Sequence, residues 1–140
     1  MKQQIMHISL VVDDYDEAIQ FYTGKLKFVV KEDTVLSETK RWVILSPPGS
    51  DVCSLLLAKA ATDLQKTRVG NQTGGRVFLF LQTDDLNRDY KNMKGQGISF
   101  VREPAEEVWG TVAVFKDLYG NLWDLIEPKD SSLYETPFIP

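Results

Sequence analysis

The chain carries a single cysteine, Cys53, and a single histidine, His7, among its 140 residues. One cysteine excludes an intrachain disulfide and suits a reducing compartment, so a cytoplasmic protein is expected. One histidine without a nucleophile-elbow pattern removes a Ser-His-Asp hydrolase from the serious readings. Positive charge is also short, with 16 Lys and Arg against 20 Asp and Glu, and no basic run or RNA-binding aromatic motif is present. A phosphate-backbone partner needs such a patch, so nucleic acid is not expected as a partner. Long apolar runs are missing too. Residues 5–12 are apolar but include His7 and Ser9 and run into Asp13 and Asp14, too short and too soon interrupted for a signal peptide or a membrane span. What the chain does have is 43% apolar and 11% aromatic residues, enough for a real core at the usual size of one domain.

The sequence also repeats itself. A shift of 71 positions lays Asp13 and Asp14 on Asp84 and Asp85, Gly24 on Gly95, Val30 on Val101 and Gly49 on Gly120. Aspartates before a helical pattern accept from free N–H groups, and a glycine after it tolerates the left-handed cap, so identities at these points have mechanical meaning. The coarse pattern repeats in the same order. Residues 5–12 read as a strand. Asp14 with Glu17 resembles a capping box for a helix over residues 15–23, whose apolar stripe is Tyr15, Ala18, Ile19 and Tyr22. Three β-prone runs follow at 28–30, 42–45 and 52–57. The second copy has a strand at 77–82, a helix at 86–94, and strands at 98–101, 111–115 and 121–126. The expected fold class is therefore α+β, two tandem β-α-β-β-β modules in one domain: module one over 5–58, a linker or flap over 59–75, module two over 76–128 and a tail over 129–140. Tyr134 and Phe138 are expected to dock that tail on the body or on a partner subunit.

The segment His7-Ile-Ser-Leu-Val-Val-Asp-Asp-Tyr-Asp-Glu-Ala-Ile-Gln-Phe-Tyr resembles the opening of the glyoxalase / bleomycin-resistance / extradiol-dioxygenase superfamily, also called the vicinal-oxygen-chelate fold. Asp117-Leu-Tyr-Gly-Asn-Leu-Trp-Asp124-Leu is similar to that family's Asp-Pro-Asp-Gly-Asn-x-x-Glu-Leu. The resemblance implies curled mixed half-barrel sheets around a small-molecule cleft, where a metal often binds two vicinal oxygens of the substrate. It also implies a homodimer. Fold alone does not settle the chemistry.

Alternation along the first strand puts Met6, Ile8, Leu10 and Val12 on one apolar face and turns His7, Ser9 and Val11 to the cleft. The 71-residue shift then pairs His7 with Phe78 and Cys53 with Asp124. By resemblance these four positions are where metal-dependent relatives put ligands, commonly His and Glu in each half. Here Phe78 offers no ligand, Asp124 is a methylene shorter than Glu, and Cys53 is a soft thiolate where iron, manganese or nickel prefer oxygen or imidazole. A His7, Cys53 and Asp124 trio would suit zinc with an open position. Each has a plainer reading: His7 as a hydrogen-bonded wall residue, Cys53 as buried apolar filler, and Asp124 as the anion of a pair with Arg76 or Arg41. Glu127 falls on the opposite strand face from Asp124. Gln82 faces the cleft, either to orient a substrate carbonyl or metal-bound water or to satisfy a backbone group. Phe78, Phe80, Trp42 and Trp109 are expected to line the cleft against a planar or apolar ligand, with the core as the alternative home of each tryptophan.

Two functions compete. The first is metal-assisted lyase, isomerase or dioxygenase chemistry with one zinc, iron, manganese or nickel ion, for which the second imidazole is lacking. The second is metal-free binding or sequestration of a small molecule, to which the acidic balance adds a preference for cations. A regulatory subunit that binds a metabolite is a third, weaker reading.

Overall fold

The computed structural model describes residues 1–129, so Tyr134 and Phe138 lie outside the described residues. Strand β1, His7–Val12, leads into helix α1, Tyr15–Gly24, which starts where the Asp14 carboxylate accepts from the Glu17 N–H at 2.8 Å. That bond satisfies one of the four N–H groups a helix leaves free at its start. Buried Tyr15, Ala18, Phe21 and Tyr22 form the stripe that seats α1 on its sheet, with Ile19 at its margin. Strands β2 (Val29–Val35), β3 (Arg41–Ser46) and β4 (Ser54–Lys59) follow. A short helix α2, Asp63–Lys66, lies in the segment expected to be a plain linker, closed by a reciprocal capping box between Thr62 and Gln65. The second run is β5 (Val77–Gln82), α3 (Leu86–Gly95), β6 (Phe100–Glu107), β7 (Gly110–Lys116) and β8 (Leu122–Pro128). Asp85 caps α3 through the Arg88 N–H at 3.0 Å, the counterpart of Asp14.

Two compact units divide between Gln72 and Thr73. Each holds a four-stranded mixed sheet, ordered β1-β4-β3-β2 in the first and β5-β8-β7-β6 in the second. In both, the first and last strands pair in parallel and the other pairings are antiparallel. In the first unit Leu10, Val12, Val43, Leu45, Leu55 and Leu57 are buried on the helix-covered face. The second unit's helix-covered face is a ring ladder. Tyr90 of α3 stacks on Phe100, Phe100 meets Phe115, and Phe115 stacks on Trp123 at 5.9 Å between centroids. At the free edge of β1 the Gln72 amide donates to the Ser9 carbonyl at 2.9 Å and accepts from the Val11 N–H at 3.1 Å. It stands in for a neighbouring strand and ties down the end of the connecting segment.

The shift of 71 holds through both helix caps and then fails. The Phe28 N–H reaches back six residues to the Tyr22 carbonyl, whereas the Ile98 N–H reaches back five to Met93, so the first unit has one extra residue in this turn. Seven residues separate β3 from β4 but five separate β7 from β8. The accumulated difference is odd, and an odd slip turns every side chain of a strand to the other face. Cys53 is accordingly not the counterpart of Asp124. That place belongs to Leu56, which pairs with Ser9 as Asp124 pairs with Phe80.

Candidate functional site

Register, more than sequence order, decides which side chains share the face away from the helix. In the first unit the ladder sets His7 opposite Ser54, Ser9 opposite Leu56, Val11 opposite Ala58 and Ile44 opposite Leu56. Trp42 belongs to the same face, two residues along β3 from Ile44, and meets the His7 ring edge-on at 6.0 Å. The hydroxyls of Ser46 and Ser54 bond to each other at 2.8 Å. His7 Nδ1 is out of contact with solvent and has no hydrogen-bond partner among the described residues. A buried polar atom left so is costly. Cys53, ahead of β4, is in step with Leu55 and Leu57 rather than with Ser54, and the structure does not set it beside His7.

Beside this face opens a groove of about 740 Å³ within the first unit. Val11, Leu56 and Ala58 form its apolar floor, and Tyr15 and Trp42 supply aromatic walls. Lys40, Arg41 and Lys59 bring positive charge to it. The Arg41 guanidinium is held by Asp33 at 2.7 Å and Asp16 at 2.8 Å and lies over the Tyr15 ring at 5.3 Å. The hydrogen bond to Asp33 foremost, then that to Asp16, pushes its pKa above the ordinary arginine value. Sequence reasoning found Trp42 here. It missed Tyr15, Lys40, Arg41 and Lys59, because Tyr15 was spent on the helix stripe and only the fold brings Lys59 to the Lys40 and Arg41 pair.

In the second unit Phe80, Asp124, Val114 and Arg102 run in one row across four strands, with Gln82 and Ile126 in the parallel row two residues on. Phe80 is 67% exposed. Burial pushes the Asp124 carboxyl above the ordinary aspartate value, against the opposing pull of Arg102. Arg102, and not Arg76 or Arg41, is thus the cation Asp124 feels. Phe78 departs from the expected cleft position. β5 bulges between Val77 and Leu79, and the extra residue turns its ring onto buried Trp123, edge-on at 6.0 Å. Trp109 sits in the two-residue turn between β6 and β7, 56% exposed, next to Val108. Glu127 does occupy the other strand face, where its carboxylate accepts from the Leu86 N–H at 2.8 Å and caps α3.

The motif around Asp117 is a structural knot. Asp117 Oδ1 accepts from the N–H groups of Tyr119, Gly120 and Asn121, and Oδ2 from Asn121 Nδ2 and Trp123 Nε1. Gly120 takes φ +104° in this turn, a conformation glycine adopts without steric cost.

The sequence profile of the Glyoxalase/Bleomycin resistance protein/Dioxygenase superfamily matches residues 4–125. The chain belongs to this superfamily. A relative in Shewanella frigidimarina (strain NCIMB 400), itself an uncharacterized protein, is 63% identical over 131 residues, spanning 93% of this chain and 97% of the relative. Among solved structures, UcmS2 superposes with a TM-score of 0.80 at 27% identity, covering 91% of this chain and 99% of its own. TnmS3, an antibiotic binding protein from Streptomyces sp. CB03234, gives 0.74 at 26% identity, covering 91% and 98%. The two four-stranded mixed sheets are those of the vicinal-oxygen-chelate fold.

Members of this superfamily often hold a divalent metal, as does FosX from Listeria monocytogenes, seen with Mn(II), which shares the fold at 12% identity and a TM-score of 0.65 over 96% of this chain and 98% of its own. The donor set here does not fit such a centre. The face of His7 adds only serine hydroxyls, the counterpart of Asp124 in the first unit is Leu56, and Phe78 packs on Trp123. Among the described residues no three His, Cys, Asp or Glu side chains gather into a group able to hold an ion. No described helix is long and apolar enough to cross a membrane.

Proposed function

We propose that this protein binds a small, planar and largely apolar molecule in the groove of its first unit. The observation that carries the reading is the groove itself. Its volume lies in the range typical of small-molecule sites, and an apolar floor between two aromatic walls with a few polar groups at the rim is the usual lining of one. Trp42, half-buried in the lining, offers a flat face for stacking, and Tyr15 closes the wall with the Arg41 guanidinium over its ring. Likeness to an antibiotic binding protein at 26% identity supports the same reading. Within the second unit, and apart from this groove, Phe80, Gln82 and Trp109 are proposed as ligand contacts of their own: an apolar surface, an amide and an exposed ring. A homodimer belongs to the proposal, and light scattering that finds a monomer at micromolar concentration would overturn that part.

The test is a thermal-shift screen with small aromatic compounds, run on wild type and on Trp42→Ala. A ligand a hundredfold above its Kd stabilises by about 2.7 kcal/mol, enough to raise the melting temperature by several degrees. That rise is expected for wild type and should be lost in the variant. A stabilisation that survives Trp42→Ala would remove the groove from the account. Elemental analysis of untagged protein gives the contrary outcome its chance. One equivalent of zinc, iron, manganese or nickel, lost in His7→Ala, would replace this reading with metal-assisted chemistry.

A further inference from the structure

The charge of the chain as a whole is −4, which on its own favours a cationic ligand. The groove carries the opposite sign. Its three charged lining residues, Lys40, Arg41 and Lys59, are all cations, and no carboxylate lines it. Asp16 and Asp33 are paired with Arg41 and are not part of the wall. Neither Lys40 nor Lys59 has an ion-pair partner among the described residues. Two lysines of the lining thus stand without an ion-pair partner among the described residues, on an otherwise acidic chain.

Resting on the binding function proposed above, we infer that the ligand is an aromatic anion: a planar ring system that stacks on Trp42 and directs a carboxylate, sulfonate or similar group to Lys40 and Lys59. Local charge decides this because the net charge acts at long range and is screened within about 8 Å at physiological salt, whereas groups in the same groove act at contact distance. An ammonium is a compact donor of three hydrogen bonds, suited to an anionic oxygen without fixed geometry. Arg41, already paired with two aspartates, shapes the wall and leaves the anion to the lysines.

The experiment compares two fluorescent probes of nearly the same shape, anilinonaphthalene sulfonate and the uncharged phenylnaphthylamine. They are titrated into wild type, Lys40→Gln/Lys59→Gln and Trp42→Ala. Both lysines are exposed, so their replacement leaves folding intact, which circular dichroism checks. The sulfonate is expected to bind wild type with an affinity that falls as salt rises. It should lose about tenfold in the double lysine variant, equivalent to about 1.4 kcal/mol. The neutral probe should bind that variant as it binds wild type, and Trp42→Ala should weaken both probes. A sulfonate affinity unchanged by loss of the lysines would overturn the anion and leave the groove as a binding site. If Trp42→Ala changes neither probe, or neither probe binds, the groove itself fails and the inference falls with it.

Discussion

Replacing Asp117 by alanine should cost this protein much of its stability, although the residue sits in a motif that invites a ligand-binding reading. Asp117 is 5% exposed and its carboxylate accepts at least five hydrogen bonds, three from consecutive backbone N–H groups at 2.9 to 3.1 Å and two from the side chains of Asn121 and Trp123 at 3.0 and 3.3 Å. Each bond to a charged acceptor is worth about 1.5–3 kcal/mol net, but the five cannot simply be added. Tyr119 and Gly120 are half-exposed, so water replaces the carboxylate for their N–H groups at little cost. Asn121 and Trp123 are buried, so water replaces the carboxylate for their donors less readily. Two to three buried donors deprived of this acceptor, at about 1–3 kcal/mol each, give an expected loss of about 3–5 kcal/mol, a large part of the 5–15 kcal/mol typical of a domain. Asp117→Asn keeps the Oδ1 acceptor but turns an NH2 toward Asn121 Nδ2 and Trp123 Nε1, and about 2 kcal/mol is expected. Urea unfolding followed by tryptophan fluorescence reads both. With m of about 1–3 kcal/mol/M, the alanine variant's midpoint should fall by at least about 1 M. A midpoint within experimental error of wild type would refute the view of Asp117 as the hub of its turn.

Further substitutions test other joints of the structure. Asp124 has its pKa raised by burial, so the folded state binds its proton more tightly than the unfolded state does. Its penalty is absent below the unfolded value and grows as pH rises through the carboxylate range, and Asp124→Asn should therefore be more stable than wild type at pH 7 by a margin that vanishes in acid, as parallel urea titrations would show. Gly110→Ala would place a Cβ 2.3 Å from the Glu127 carbonyl oxygen, in backbone that cannot give way cheaply, and should cost about 1–3 kcal/mol in chemical denaturation. Glu127→Ala removes the acceptor for the Leu86 N–H at the start of α3, with an expected loss of about 1 kcal/mol and faster amide exchange confined to the first turn of that helix.

Much of the architecture is local physics and so was legible in the chain. Asp14 and Asp85 announce their helices because a short carboxylate reaches the free N–H groups two or three residues on, whatever the rest of the molecule does. The inward turn of Leu10 and Val12 and the outward turn of His7 follow from alternation along a single strand. Gln82 and Phe80 fell on one face with Asp124 for the same reason. Prediction lost its footing where alternation had to be carried across a loop. The three extra residues of the first unit, one after α1 and two after β3, moved Cys53 out of step with Asp124, and no periodicity within a strand records the length of the turn before it.

By itself, then, the sequence determined the order of elements apart from α2, the caps of α1 and α3, the duplicated module and the superfamily, since each rests on neighbours along the chain or on whole motifs. Only the tertiary structure decided that Phe78 bulges onto Trp123, that Asp117 gathers five donors, and that Gln72 closes the edge of β1. It alone assembled the groove, bringing Tyr15, Lys40, Trp42 and Lys59 from a helix start, a turn and two strands to one place. The physical reason is that pairing register and side-chain contact are set by groups tens of residues apart, whose meeting depends on loop lengths and bulges that local patterns do not encode.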